Sequence, residues 1–133
     1  MTKQNNFLEN ICRDFIKYFE LADYDNMGKL LSKEIKSYVT NAEGGVNLIV
    51  GSEELIKNLS YMDVKIVKPK LNITQIAVVD SSQVMFMVEI KAKRKGKELH
   101  NFAAFLLNIT DGVIYEMRMV EALPRYSDEF WKN

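Results

Sequence analysis

Asp111-Gly112 stands between two runs that alternate as strands do, "ELHNFAAFLLNI" and "VIYEMRMVEAL". Such a dipeptide readily takes the positive φ angles that a two-residue hairpin turn requires, so the runs are expected to pair antiparallel. The pairing places Ala103, Phe105, Leu107, Tyr115, Met117 and Met119 along one face. Upstream, "QVMFMVEIKAKRK" has the same alternation, with "KGK" as its turn into the first of these runs. "DVKIVKPKLNITQIAVV" is rich in β-branched residues and turns through "DSS", which adds a fourth strand. Pro69 cannot donate to a ladder, so a bulge or a sheet edge is expected there.

The N-terminal half has a different period. Phe7, Leu8, Ile11, Cys12, Phe15, Ile16 and Phe19 recur at helical spacing and predict an amphipathic helix over 6–22. "DYDNMGKLLSKE" predicts a second, shorter helix that buries Met27, Leu30 and Leu31. "SYVTN" and "VNLIV" read as short strands around the loop "AEGG". "GSEELIKNLSYM" opens a third helix, with Ser52 as its expected cap and Glu53 and Glu54 in the first turn, where the helix dipole favours anions. Pro124 ends the last strand, and "RYSDEFWKN" reads as a tail whose Phe130 and Trp131 pack over the sheet or cover a pocket. No repeat or linker interrupts 1–133, which is expected to form one domain.

Helices followed by long antiparallel strands imply an α+β fold, with three N-terminal-half helices packed over the concave face of a curved, mainly antiparallel sheet. A sheet of this length must twist and curl. Curled and closed by helices, it becomes a cone with a cavity inside.

Composition narrows the function classes. Lys plus Arg and Asp plus Glu are both 18, so no global charge recruits nucleic acid or an anionic membrane surface. The "KAKRKGKE" turn concentrates cations, but it has no interleaved aromatics and is read as a solvated hairpin tip. Cys12 is the single cysteine and His100 the single histidine, so neither a disulfide, a metal centre nor a cofactor site is expected. "MTKQNNFLENICRDF" lacks the apolar run of a signal peptide, and no run reaches the roughly 18 apolar residues of a membrane span, so a cytoplasmic location is expected.

The order "LADYDNMGKLL", "YVTNAEGG", "VGSEELIKNL" and "LLNITDGVIYEMR" resembles the nuclear transport factor 2-like superfamily, which includes SnoaL-like polyketide cyclases, ketosteroid isomerases and limonene epoxide hydrolases. The resemblance covers nearly the whole chain. It implies a cone-shaped α+β barrel, often dimeric, with a pocket between sheet and helices; it does not imply one function. Aligned through the Asp111-Gly112 turn, the isomerase aspartate falls near Ala103 and its helix-one tyrosine near Phe15. The isomerase base falls between Asn41 and Glu43. The epoxide hydrolase arginine and aspartates fall near Phe86, Val88 and Met119. Among these positions only Glu43 retains an acid.

The expected pocket is therefore lined by Phe15, Tyr38, Asn41, Phe86, Val88, Asn101, Ala103, Phe105, Met117 and Met119, an apolar surface with few polar atoms. Asn101, Tyr115, Glu121 and Glu43 are the polar exceptions. Two readings of function follow. In the first, the cavity binds a small apolar or aromatic molecule without catalysis. In the second, the protein is an isomerase, cyclase or hydratase with Glu43 as base and with Tyr18 or Tyr115, together with Asn101, polarising a substrate oxygen. His100 has the opposite strand parity and is placed on the outer face. There Met85, Met87, Phe102 and Leu106 are too apolar for water alone, which suggests the partner sheet of a homodimer or another protein partner.

Overall fold

A computed structural model describes residues 3–132. The first helix, α1 (Lys3–Glu20), buries Leu8, Ile11, Cys12, Phe15 and Ile16 along one stripe and leaves Arg13, Asp14 and Lys17 in solvent. It stops because Ala22 turns left-handed at φ 54°. The N–H of Asp23 then returns to the Tyr18 carbonyl at 2.8 Å and that of Ala22 to Phe19 at 3.0 Å, the paired bonds of a Schellman stop. Burial pushes the Cys12 thiol up to about 12, with Glu9 adding to the shift, so the lone cysteine is a packing residue.

Asp23 caps α2 (Tyr24–Lys29) by accepting from the Asn26 amide at 3.3 Å. The helix expected to continue through Leu31 ends here, because β6 captures the chain. The Ile114 N–H donates to the Leu30 carbonyl at 2.7 Å, and Leu31 already pairs with Ile114. Strand β1 (Leu31–Thr40) is thus longer than its apolar pattern suggests, and β2 (Val46–Val50) returns beside it. The cap of α3 (Ser52–Ser60) is Gly51 at φ 96°, not Ser52, which is the first helical residue and makes no cap bond. Residues 63–69, expected as strand, form the short helix α4 (Val64–Val67), with Val64 buried and Lys68 left-handed. Strand β3 (Lys70–Val78) begins directly after Pro69 and lies at the edge of the sheet, the setting a proline tolerates.

Strands β4 (Gln83–Arg94), β5 (Lys97–Thr110) and β6 (Val113–Glu121) form the meander read from the sequence. Both of its turns have positive φ at two residues: Lys95 and Gly96 at 50° and 78°, Asp111 and Gly112 at 52° and 79°. Among the described residues the sheet order is β2-β1-β6-β5-β4-β3, with β1 and β6 parallel and the other pairs antiparallel. The sheet is curved and mixed, and α1 packs across β3 and β4 while α3 packs on β1 and β2. The core lies in the concavity. Phe86 stacks on Phe105 at 4.8 Å, and Phe105 meets Phe15 of α1 edge-on at 6.2 Å. No described helix is long and apolar enough to cross a membrane.

The C-terminal segment expected as a tail is the helix α5 (Pro124–Lys132). Proline at its first position supplies a helical φ where no N–H partner is needed. Phe130 is buried with Leu99 and Ala92. The Arg94 guanidinium donates to the carbonyls of Phe130 and Trp131 at 3.1 and 2.6 Å, satisfying the end of the helix and holding it on the sheet.

Candidate functional site

Between α1, α3, α5 and the concave side of the sheet lies a cavity of roughly 490 Å³, within the size range of small-molecule sites. Its floor is apolar. Phe15 and Phe19 come from α1, Leu55 and Leu59 from α3, and Val88, Phe105, Met117 and Met119 from the sheet. Its polar end lies where β6 runs into α5. Glu121, the last residue of β6, faces Ser127 and Asp128 on α5, with Lys132 one turn further on. The β1–β2 loop brings Asn41 and Glu43 to the opposite side of the opening, and Asn58, Tyr61 and Met62 close the side by α3.

Burial pushes the Glu121 carboxyl above the usual carboxylate range; the Ser127 hydroxyl opposes this by hydrogen bonding, and the charge of Asp128 reinforces it. The Lys132 ammonium bonds Asp128 at 3.1 Å, and that bond raises its own pKa. Glu43 is exposed, and its negative charge also reaches Lys132 of α5. Asn41 lines the cavity, but its polar atoms are used within the loop. Oδ1 accepts from the amides of Glu43 and Gly45 at 3.1 and 2.9 Å, and Nδ2 donates to Asn47 at 3.1 Å.

Glu121 has a direct consequence for stability. A carboxyl whose folded pKa is raised stabilises the fold fully below its unfolded pKa, and the contribution is lost as pH rises through the folded value. Glu121→Gln removes that loss while keeping an acceptor for Ser127. Its Tm is expected to exceed wild type by a few degrees at about pH 7, with the gap vanishing at about pH 4. Thermal melts across this range check the sign; a variant less stable at neutral pH would contradict it.

Of the expected lining, Phe15, Asn41, Val88, Phe105, Met117 and Met119 border the cavity, as does Glu43. Phe86 and Ala103 lie behind it in the core. Tyr18 packs against the core, half-buried and away from the cavity. Tyr38 points to the other face of β1, where the Arg118 guanidinium sits 4.1 Å from its ring centre. Asn101 is buried but turned to the chain: Nδ2 donates to the Leu123 carbonyl and Oδ1 accepts its N–H, both at 3.1 Å. Tyr115 is exposed because the β5–β6 ladder slips. Asn108 pairs with Glu116 and Ile109 with Ile114, so Tyr115 is the extra residue of a bulge and the parity counted from Met117 breaks before it. His100 lies on the outer face, with Nε2 2.8 Å from Glu89 Oε2.

The polar cavity residues not anticipated include those of α5: Ser127, Asp128 and Lys132, which join Trp131 there. Their signal was the helical spacing of Ser127, Phe130 and Trp131 after a proline. The expectation of few ionisable groups holds for the floor of the cavity and fails at this end. Among the described residues, no group of three histidine, cysteine or acidic side chains is placed to hold a metal ion.

A curved mixed sheet with an N-terminal helix packed across its concavity is the nuclear transport factor 2-like fold that the sequence resemblance implies. Solved structures with this architecture superpose over most of the chain. Bal32a, from a soil-derived mobile gene cassette, matches with a TM-score of 0.82 at 15% identity, over 97% of this chain and 99% of its own. PrhC from Penicillium brasilianum NBRC 6234 matches at 0.79 and 16% identity, over 95% and 87%. A candidate SnoaL-like polyketide cyclase from Jannaschia sp. CCS1 matches at 0.76 and 13% identity, over 97% and 94%. No protein-family model and no curated protein matches the sequence. Identity this low carries the fold alone.

Proposed function

We propose that the protein is a SnoaL-like binding domain whose cavity takes a small, largely apolar or aromatic molecule and holds its one polar end at Glu121. The observation that carries this reading is the cavity itself, greasy over its floor and polar at one end. The test is thermal shift and calorimetry with a panel of apolar and aromatic compounds, on wild type and on Met119→Trp, which projects an indole into the space. A ligand at a hundredfold its Kd adds about 2.7 kcal/mol of stability. The wild type is expected to show such shifts, and the folded Met119→Trp variant to lose them. No shift in the wild type, or equal shifts in both, would overturn the reading.

A second reading, turnover of a small hydrophobic substrate by an isomerase, cyclase or hydratase, is favoured by the raised pKa of Glu121, which brings that carboxyl closer to the range useful for proton transfer. The acid–base group is then Glu121, which is half-buried in the site, in preference to the exposed Glu43. Turnover that survives Glu121→Gln would exclude this assignment.

We further propose that the outer sheet face joins two copies of the chain. Met85, Met87, Phe102 and Val120 are exposed there, and Met87, Ala104 and Val120 lie in one row across β4, β5 and β6. A row of this kind, with Glu89–His100 and Glu116–Arg118 pairs on the same three strands, is suited to a two-fold contact. Sedimentation is expected to give a dimer, with Met87→Lys weakening it at least tenfold, or about 1.4 kcal/mol. A wild-type monomer at high concentration would remove the proposal.

A further inference from the structure

The charge inventory of the cavity is one-sided. Among the described residues its ionisable lining consists of Glu43, Glu121 and Asp128 against one cation, Lys132, together with the phenol of Tyr61, and no arginine or histidine borders it. Lys132 is already bonded to Asp128 at 3.1 Å. Glu121 makes no ion pair among the described residues, and Ser127 is the hydroxyl that bonds it. Trp131 of α5 also lines the cavity, and a cation over such a ring gains further attraction. An anionic ligand would meet like charge from three carboxyls in a partly dry space, which is costly. A neutral ligand would leave the half-buried Glu121 carboxyl without a counter-charge of its own.

We propose that the molecule this cavity accepts carries a protonated amine on an apolar or aromatic body, with the ammonium seated between Glu121 and Asp128. The inference rests on the binding reading above and names its substrate class. The body lies on Phe15, Phe105 and Met119, and the ammonium adds a charged donor to carboxylates that otherwise accept from Ser127 and Lys132. Because the cation pairs with ionised Glu121, amine affinity rises as pH rises through the raised pKa of that group. Asp128 and Lys132 on α5, Glu43 on the β1–β2 loop and Tyr61 after α3 share the field and are held constant in the comparison.

Three probes of one shape test it: phenylpropylamine, phenylpropanol and phenylpropanoate, titrated calorimetrically into the full chain at several pH values. The amine is expected to bind at least tenfold more tightly than the alcohol, with the carboxylate weakest. In Glu121→Gln the gap between amine and alcohol is expected to close, with folding confirmed by circular dichroism. If the alcohol binds as tightly as the amine in the wild type, the cavity reading stands and the amine proposal falls. If the amine keeps its advantage in Glu121→Gln, the ammonium is not seated at Glu121 and the proposal falls. If none of the three binds, this proposal falls and the cavity reading is left to its own panel and to Met119→Trp.

Discussion

Phe86→Ala is expected to lower folding stability by about 3–5 kcal/mol, the cost of emptying a large buried site that relaxes only in part. Phe86 is 2% exposed at the centre of β4, paired with Ile76 on β3 and Phe105 on β5. Its ring lies parallel to that of Phe105, with an interplanar angle of 3°, and Phe105 in turn carries the edge of Phe15. The substitution removes burial and a ring pair worth about 0.5–1.5 kcal/mol more. Domains of this kind have about 5–15 kcal/mol in total, so the variant stands near the limit of folding. Phe86→Leu retains most of the volume and is expected to cost much less. Urea denaturation with an unchanged m-value separates a loss of stability from a changed denatured state. A loss below about 1 kcal/mol would show that the floor of the cavity collapses freely into the gap, against the packing described.

Asn101→Ala is expected to cost about 1–3 kcal/mol, by a different route. Asn101 is 1% exposed, and its amide closes a ring of bonds with Leu123 and with the Phe102 N–H at 2.9 Å. Truncation removes the side-chain acceptor of the Leu123 and Phe102 N–H groups and one of the two donors to the Leu123 carbonyl, at the point where β6 becomes α5. The Ser127 N–H bonds the same Leu123 carbonyl at 3.1 Å, so the first turn of α5 loosens with it. The variant is therefore expected to lose ligand affinity as well as stability, although Asn101 does not line the cavity. Hydrogen exchange over 122–128 is the readout, since a purely global loss would protect no segment differently. Unchanged exchange there would mean that Arg94 and Phe130 alone hold the helix.

These two residues mark how far the chain could be read. Phe86 and Asn101 both have inward strand parity, and both are buried. Parity did not say whether an inward side chain meets the cavity, the core or the backbone. Phe86 meets the core, and Asn101 meets Leu123. Glu121 shares the parity of Met117 and Met119 and does reach the cavity, whereas Tyr115 was displaced by a bulge that no local pattern records. Glu43 borders the cavity from a loop organised by Asn41.

The sequence by itself determined the meander from Gln83 to Glu121, its two tight turns, the amphipathic first helix and the apolar concave face. Each of these depends on alternation or turn chemistry within a few residues, which tertiary contacts reinforce. Tertiary structure alone decided where α2 ends, because the capture of Leu30 and Leu31 by Ile114 spans more than eighty residues. It also decided that the C-terminal segment folds back as a helix, since Arg94, Leu99 and Asn101 supply its anchors. The acidic end of the cavity exists for the same reason: Glu121 and Asp128 acquire a shared, partly dry environment when α5 docks, and burial then changes the chemistry of a carboxyl that the bare sequence leaves ordinary.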